Sequence, residues 1–406
     1  MISKSLRRKV MFILYTNYFV HGLGLLILTQ NMFAFSKSWN THLSTVSYTI
    51  SAVGIGRISA YYILGSFSDR IGRKPVLYAG MLSYLLFFIM TPFIKDFHLA
   101  YLLIILAGVA NSALDASTYP IFLEIDKKST APPSILIKAV MSMGEFVLPI
   151  SVVYVEKLQL WFGINFMIAA AILFINFILL LPIEFSDQSF SSKENFHLKL
   201  NQMSNRQFFL LCSLALYGYS SMAIMIHFTQ WVSIFAGKEL DMTKVSSHLL
   251  LSLYSLGSIV GVIAIFTVVK NALIKNTHLI VLLSFFACFS LILIAFNSSD
   301  ILVHLSAFVF GFTAAGGVMQ VALNLLVSLF PGMKGRATAI FFTLGSLATF
   351  SVPLVTGILS RISIVLTMRS IVVTALLNLI ISIFISFAAY TKKENSLKLE
   401  TKYVEN

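Results

Sequence analysis

Residues 65–74 read GSFSDRIGRK, a stretch of the form G-x-x-x-D-R-x-G-R-K. It lies where one long apolar run ends and the next begins at Pro75. Asp69, Arg70, Arg73 and Lys74 place four charges in six positions, which is costly inside hydrocarbon. The stretch is therefore predicted to be a tight loop at a membrane face, where Gly72 supplies the backbone freedom that a sharp turn between two spans requires.

The composition predicts a membrane protein. The chain of 406 residues is 58% hydrophobic and 11% charged, with a mean hydropathy of +0.88. Soluble domains carry about 25% charged residues, so a large soluble core is excluded. The formal net charge of +13 comes from short segments between apolar runs, which argues against a nucleic-acid-binding surface.

Other functional classes are disfavoured by missing motifs. The sequence has no nucleotide-binding P-loop, no H-E-x-x-H motif and no Cys/His cluster, so we expect neither a cofactor nor a metal. Its two cysteines, Cys212 and Cys288, lie in apolar runs and imply no disulfide framework.

Apolar runs of about 20 residues predict an all-α fold with about twelve transmembrane helices. The runs cover residues 10–35, 44–68, 75–94, 98–123, 133–155, 161–183, 207–235, 245–269, 277–296, 301–330, 338–359 and 362–390. We expect an N-terminal six-helix bundle at 1–184, a linker at 185–206, a C-terminal six-helix bundle at 207–391 and a tail at 392–406. The basic N-terminus resembles that of a signal peptide, but the run behind it is long and lacks a cleavage site, so an uncleaved first span is predicted.

The distribution of Lys and Arg predicts the orientation. Twenty of the 29 lie in the termini and the loops on the side of Asp69, six lie in the opposite loops, and Arg57, Lys138 and Arg369 lie within spans. Both termini and the Asp69 loop are therefore expected in the cytoplasm, with the chain in a plasma membrane and a bacterial source favoured.

The two halves carry a faint repeat. Thr29-Gln30 recurs as Thr229-Gln230, and Ser51 and Gly56 of the second span match Ser252 and Gly257 one position out of register. This period is about half the chain, as expected for two pseudo-symmetric halves.

The pattern of residues 65–74 resembles, at every fixed position, the loop between the second and third helices of the major facilitator superfamily. The resemblance implies two six-helix bundles that move a small molecule by alternating access. It also implies that Asp69 acts as a conformational latch against the start of the eleventh helix, near residues 335–338. Glu124 or Asp126 is expected to hold the loop through Arg70 or Arg73.

Three charged residues lie deep in the first half. Arg57 and Glu145 fall near the middle of the second and fifth spans, and Asp115 lies in the fourth span. Such charges cost at least ~2.5 kcal/mol each unless they are paired or hydrated. One arginine cannot neutralise both carboxylates, so a protonatable carboxylate is predicted, with Glu145 favoured for its depth and Asp115 left open. The alternative is that Arg57 pairs with one carboxylate for structural reasons.

Polar residues in the first, fourth, seventh and tenth spans are candidate substrate contacts, because the resemblance implies that these helices line a central cavity. The candidates are Asn17, His21, Asn111, His227, Gln230, Trp231, Gln320 and Asn324. Each could instead serve only to hydrogen-bond neighbouring helices.

The sequence thus favours a proton-coupled secondary transporter that works as a monomer in the lipid bilayer. An uncoupled facilitator of the same fold is the nearest alternative. A membrane enzyme or a channel is the more distant one, since no nucleophile–base pair stands beside the carboxylates. The substrate and the direction of transport stay open.

Overall fold

The computed structural model describes residues 4–125, 134–183, 204–330 and 334–404. Helices dominate these ranges, which contain no β-strand. In the first half the helices are α1 (Lys4–Gln30), α2 (Met32–Ser38), α3 (Leu43–Ile50), α4 (Ala52–Ile71), α5 (Arg73–Met90), α6 (Phe97–Ile125), α7 (Ser134–Lys157) and α8 (Ile164–Leu180). In the second half they are α9 (Asn205–Glu239), α10 (Lys244–Lys270), α11 (Asn276–Phe296), α12 (Asp300–Phe310), α13 (Met319–Leu329), α14 (Lys334–Ser360) and α15 (Ile364–Val404).

These helices account for the twelve predicted spans. Ten helical stretches of the described residues are long and apolar enough to cross a membrane, and the apolar α8 is shorter. The one remaining span, the second in chain order, consists of α3 and α4, which Ser51 joins end to end. A π-helical segment, Gly311–Val318, joins α12 to α13 within one of the ten stretches.

The first span ends earlier than residue 35, where the apolar run ends. The Asn31 side chain donates from Nδ2 to the Ile27 carbonyl at 2.7 Å, while its own backbone N–H bonds to Leu28. An asparagine amide competes in this way with the helical ladder, and the chain turns before α2 begins.

At the other terminus, α15 runs to Val404 and so continues into the segment predicted to be a polar tail. Residues 391–404 contain neither Gly nor Pro and are rich in Lys, Glu and Leu, which are good helix formers.

The two halves repeat one close helix crossing. A Cβ added to Gly56 on α4 would overlap the Ile105 carbonyl of α6, and one added to Gly257 on α10 would overlap the Phe308 carbonyl of α12. Only glycine permits this approach. The repeat seen in the sequence therefore corresponds to equivalent packing in the two bundles.

Candidate functional site

Residues 65–74 do not form the predicted loop: residues 65–71 end α4, residues 73–74 begin α5, and the turn is confined to Gly72. This junction is fixed to the rest of the first half. Gly72 has φ 97° and ψ 165°, so α4 and α5 meet in a sharp turn, as predicted. Arg73 Nη1 donates to Ser68 Oγ at 2.9 Å, and Ser68 Oγ donates to the Ala116 carbonyl of α6 at 2.9 Å. Lys74 Nζ donates to the Leu181 carbonyl after α8 at 3.2 Å.

Parts of the predicted latch lie outside what the structure describes. These are the side chains of Asp69, Glu124 and residues 335–337, and Asp126 as a whole. The Arg70 side chain is exposed, and around Gly65 no described atom would lie within 4 Å of an added Cβ.

Arg57 is positioned by the close crossing of α4 and α6. A Cβ on Gly108 would overlap the Val53 carbonyl, so the two backbones touch beside Arg57. Ser112 of α6 donates from Oγ to the Arg57 carbonyl at 3.1 Å. Ser112 precedes Asp115 by about one helical turn of α6, so this bond brings the Arg57 backbone near Asp115.

The Arg57 guanidinium has no acidic partner in the described part of the chain. The residue is 9% exposed, and its Nε lacks a hydrogen-bond partner among the residues that the structure describes. Neither Asp115 nor Glu145 forms an ion pair with it, although Arg57 is close enough to Asp115 to act on it electrostatically. The alternative in which Arg57 neutralises a carboxylate by direct pairing therefore finds no support here.

Asp115 instead accepts a hydrogen bond from α1. Tyr18 donates from its hydroxyl to Asp115 Oδ1 at 2.6 Å. The Tyr18 ring also packs edge-on against Tyr119, with centroids 6.1 Å apart. Asp115 is half-buried and Tyr119 is 38% exposed, so this polar corner reaches accessible space within the spans.

His21 and Asn111 meet through Tyr84 of α5. The Tyr84 hydroxyl donates to Asn111 Oδ1 and lies 2.9 Å from His21 Nδ1. The Tyr84 hydroxyl therefore lies within hydrogen-bond distance of both side chains. The chain His21–Tyr84–Asn111 thus links α1, α5 and α6.

Glu145 has a different partner from the other carboxylate. Lys138 Nζ lies 3.5 Å from Glu145 Oε1, two turns along the same helix α7. Glu145 Oε2 is buried and has no hydrogen-bond partner within the described ranges. Lys138 was visible in the sequence as an intramembrane charge, but a seven-residue spacing did not by itself identify the pair.

Two candidate substrate contacts face peripheral helices. Asn17 accepts a hydrogen bond from Asn176 Nδ2 of α8 at 2.7 Å, and His227 Nε2 lies 2.8 Å from the Thr367 carbonyl of α15. Asn378 of α15 repeats the first arrangement in the second half, donating to Ser220 at 2.8 Å.

The remaining candidates of the second half are dispersed. Gln320 and Asn324 lie one turn apart on α13, and both are exposed. Trp231 is fully buried, and no described residue accepts a hydrogen bond from its Nε1. Gln230 donates from Nε2 to Ser47 Oγ of the first half at 2.5 Å.

The Gln230–Ser47 contact belongs to a set of bonds that join the halves near the junction of α1 and α2, which we call the Gln30 end. Gln30 Oε1 lies 2.6 Å from His248 Nδ1 of α10. Ser47 donates to the Pro353 carbonyl at 2.6 Å. The opposite end, which holds residues 65–74, is the Asp69 end.

Sequence reasoning missed Tyr18, Tyr84, Tyr119, Ser47 and His248. A signal for part of the cluster was present: Asn111, Asp115 and Tyr119 follow one another at four-residue spacing and so share a face of α6. Ser47 and His248 carried no comparable pattern, because each makes its contact in the other half of the molecule.

Comparisons with known proteins cover nearly the whole chain. A model of the Major Facilitator Superfamily matches residues 12–353. Inner membrane transport protein YdiM of Escherichia coli (strain K12) is 37% identical over 387 residues, which cover 95% of this chain and 96% of that protein. Inner membrane transport protein YdiN of the same organism is 31% identical over 353 residues, covering 86% and 83%.

A solved structure agrees in fold. A D-xylose–proton symporter superposes with a TM-score of 0.75 at 12% identity, over 93% of this chain and 96% of that chain. The family match and the relatives above 30% identity extend this agreement from fold to family. The chain is a multi-pass membrane transporter that belongs to the major facilitator superfamily.

Proposed function

We propose that this protein is a secondary transporter that moves a small, at least partly hydrophilic solute by alternating access and couples that movement to protons. The observation that carries the proposal is the Tyr18–Asp115 pair, with its 2.6 Å hydrogen bond, in a half-buried position between α1 and α6. An accessible carboxylate without an ion-pair partner is a group that can bind and release a proton.

Exposed polar groups support a water-filled cavity at the middle of the molecule. Tyr119 on α6 and Gln320 and Asn324 on α13 are exposed although they lie within spans. Amide groups are costly in lipid, so such residues usually face a bundle interior or water. We propose that they line one cavity with Asp115 and that this cavity opens toward the Asp69 end.

The bonds at the Gln30 end support alternating access between two bundles, at 1–184 and 207–391. Gln30 and Gln230 each reach from one half into the other. We propose that these contacts close the predicted external side in the conformation described here. Breaking these contacts would open the cavity to the external side and close it to the cytoplasm. We propose that Asp69 is the latch at the cytoplasmic side of the plasma membrane.

Asp115 is the better candidate for the proton carrier. Glu145, favoured on sequence grounds for its depth, is held in an ion pair with Lys138 at 3.5 Å. Asp115 has only the neutral Tyr18 hydroxyl as a hydrogen-bond donor in the described residues. Asp115 therefore replaces Glu145 as the first choice.

Transport assays in proteoliposomes test this function. The purified protein is reconstituted, and a panel of labelled sugars, organic acids, amino acids and nucleosides is offered with and without an imposed pH gradient. Accumulation that a proton ionophore abolishes supports coupling, whereas equal exchange with no accumulation supports the facilitator alternative. Asp241→Asn is a matched control, because it removes an exposed loop carboxylate and Asn tolerates the local φ of 51°.

A further inference from the structure

We infer that Arg57 binds the carboxylate group of an anionic substrate. This inference rests on the proposed transport function and names the chemical class of its solute. It starts from the charges within the described spans. Lys138 has Glu145 at 3.5 Å, and the Arg369 guanidinium lies 5.0 Å from the Phe296 ring centre, whereas Arg57 has neither an acidic nor an aromatic partner there.

Arg57 faces the second half of the molecule. Gly54, Arg57 and Tyr61 fall within about 60° of one another around α4, so they share one face. A Cβ on Gly54 would overlap the backbone of Phe350 in α14, and the Tyr61 ring lies 6.1 Å from that of Phe342. Arg57 is therefore directed to the contact surface between the halves, where an alternating-access transporter must hold its solute.

The chemistry of the site selects a carboxylate. Arg57 is nine-tenths buried and its Nε has no hydrogen-bond partner among the described residues, so its charge carries a large desolvation cost, which a bidentate anion offsets. A phosphate dianion would require a second free cation, but Lys138 is already paired with Glu145. The hydroxyl of Tyr119, which is 38% exposed, and that of half-buried Tyr61 offer polar contacts to the remainder of the solute.

This arrangement also explains how an anion and a proton would travel together. Among the described residues, the groups that interact electrostatically with Asp115 are Tyr18 from α1, Arg57 and Tyr61 from α4, Tyr84 from α5 and Tyr119 of its own helix. The charge of Arg57 acts on Asp115 electrostatically. A bound carboxylate neutralises that charge, and Asp115 then takes up one proton from water. One anion and one proton thus bind with no net charge change, and each raises the affinity for the other.

Ligand binding to the detergent-solubilised protein tests the anion site independently of transport. Thermal unfolding is measured with benzoate, 4-hydroxybenzoate and lactate, each beside its neutral amide, and with inorganic phosphate and benzylamine, all at equal ionic strength. We expect at least one carboxylate to raise the Tm while its amide does not. Arg57→Gln should lower the affinity for that carboxylate at least tenfold, and Arg57→Lys should lower it less. The control Arg369→Gln should leave the affinity unchanged.

Several results would overturn the anion site. These are equal stabilisation by amides or by benzylamine, a carboxylate response that survives Arg57→Gln, or no response to any carboxylate. If Arg57→Gln does not fold, Arg57→Lys decides, because native carboxylate affinity in that variant contradicts bidentate binding. Counterflow of the responding carboxylate in proteoliposomes separates the two proposals. Carboxylate binding without counterflow would support the anion site and contradict the proposed transport function.

Discussion

The Oε1 atom of Gln30 lies 2.6 Å from Nδ1 of His248, and this contact joins the first half of the molecule to the second. It has a counterpart in the bond from Gln230 to Ser47. Ser47 and His248 differ by 201 positions, the spacing that also relates Gly56 to Gly257. The Gln30 end is therefore closed by two contacts that the internal repeat relates to each other.

Removing both glutamines should open this end. Each neutral hydrogen bond contributes ~1 kcal/mol. The double variant Gln30→Ala, Gln230→Ala should therefore shift the equilibrium between the closed and open conformations by about 2 kcal/mol, or roughly thirty-fold in population. Spin labels at the exposed Leu160 and Ile362 measure the separation of the halves there. An unchanged distance distribution in the double variant would contradict the closure, and Gln207→Ala at the start of α9 is the control.

A single added methyl group should disturb the same closure. The Cβ of Gly54→Ala would lie 2.3 Å from the backbone nitrogen of Phe350, so α4 and α14 must separate. We expect the same spin-label pair to report more of the open population. Gly345→Ala is the matched control on α14, because its Cβ would have only ordinary contacts, the nearest at 3.8 Å. Equal behaviour of the two variants would mean that the contact is not needed.

Substitutions of Asp115 and Glu145 should have different effects on transport in vesicle assays. Asp115→Asn should abolish accumulation but keep exchange, since the proton-binding group is lost while the solute still binds. Glu145→Gln should keep accumulation and lower the Tm, because Lys138 loses its partner 3.5 Å away. Lys138→Gln combined with Glu145→Gln should recover part of that stability. Normal accumulation by Asp115→Asn would return the proton role to Glu145 or favour the facilitator.

The substitution of Asp69 by asparagine tests the proposed latch. Asp69→Asn keeps the size of the side chain but removes the charge that a helix N-terminus would attract, an interaction of ~0.3–1 kcal/mol when exposed. We expect slower transport with unchanged expression. Native transport rates in this variant, measured beside the Asp241→Asn control, would refute the latch.

Cysteine accessibility should distinguish cavity from packing positions. In a chain with Cys212 and Cys288 replaced by Ser, cysteines at Gln320 and Asn324 should react with charged methanethiosulfonates added at the Asp69 end. Cysteines at Asn17 and His227 should stay unreactive, because these side chains are 0% and 4% exposed and pack against α8 and α15. Protection of Asn17 by the solute would place that residue back in the cavity.

Much of the fold was predictable because a bilayer imposes a length and a polarity on each span. The apolar runs predict the spans to within a few residues. Glycine at position 72 predicts the sharp turn, and the structure shows the positive φ there. The early end of the first span was not predictable in this way, because the Asn31 side chain stops α1 inside an apolar run.

The site was predictable in depth but not in its partners. Arg57, Asp115 and Glu145 were identified because intramembrane charges are rare and costly. Which groups they contact depends on how neighbouring helices pack, and a single sequence does not specify that packing. Tyr18 and Lys138 therefore emerged as the partners of the two carboxylates only from the structure.

The π-helical segment Gly311–Val318 makes the two halves differ in structure. The equivalent span of the first half, α6, is a continuous α-helix. A π turn holds one residue more than an α turn, so the conversion of one such turn to α would rotate α13 about its own axis by about 100°. Gln320 and Asn324 lie directly beyond it on α13. A local change of winding would therefore withdraw these two amides from the face they now occupy, without any displacement of the bundle as a whole.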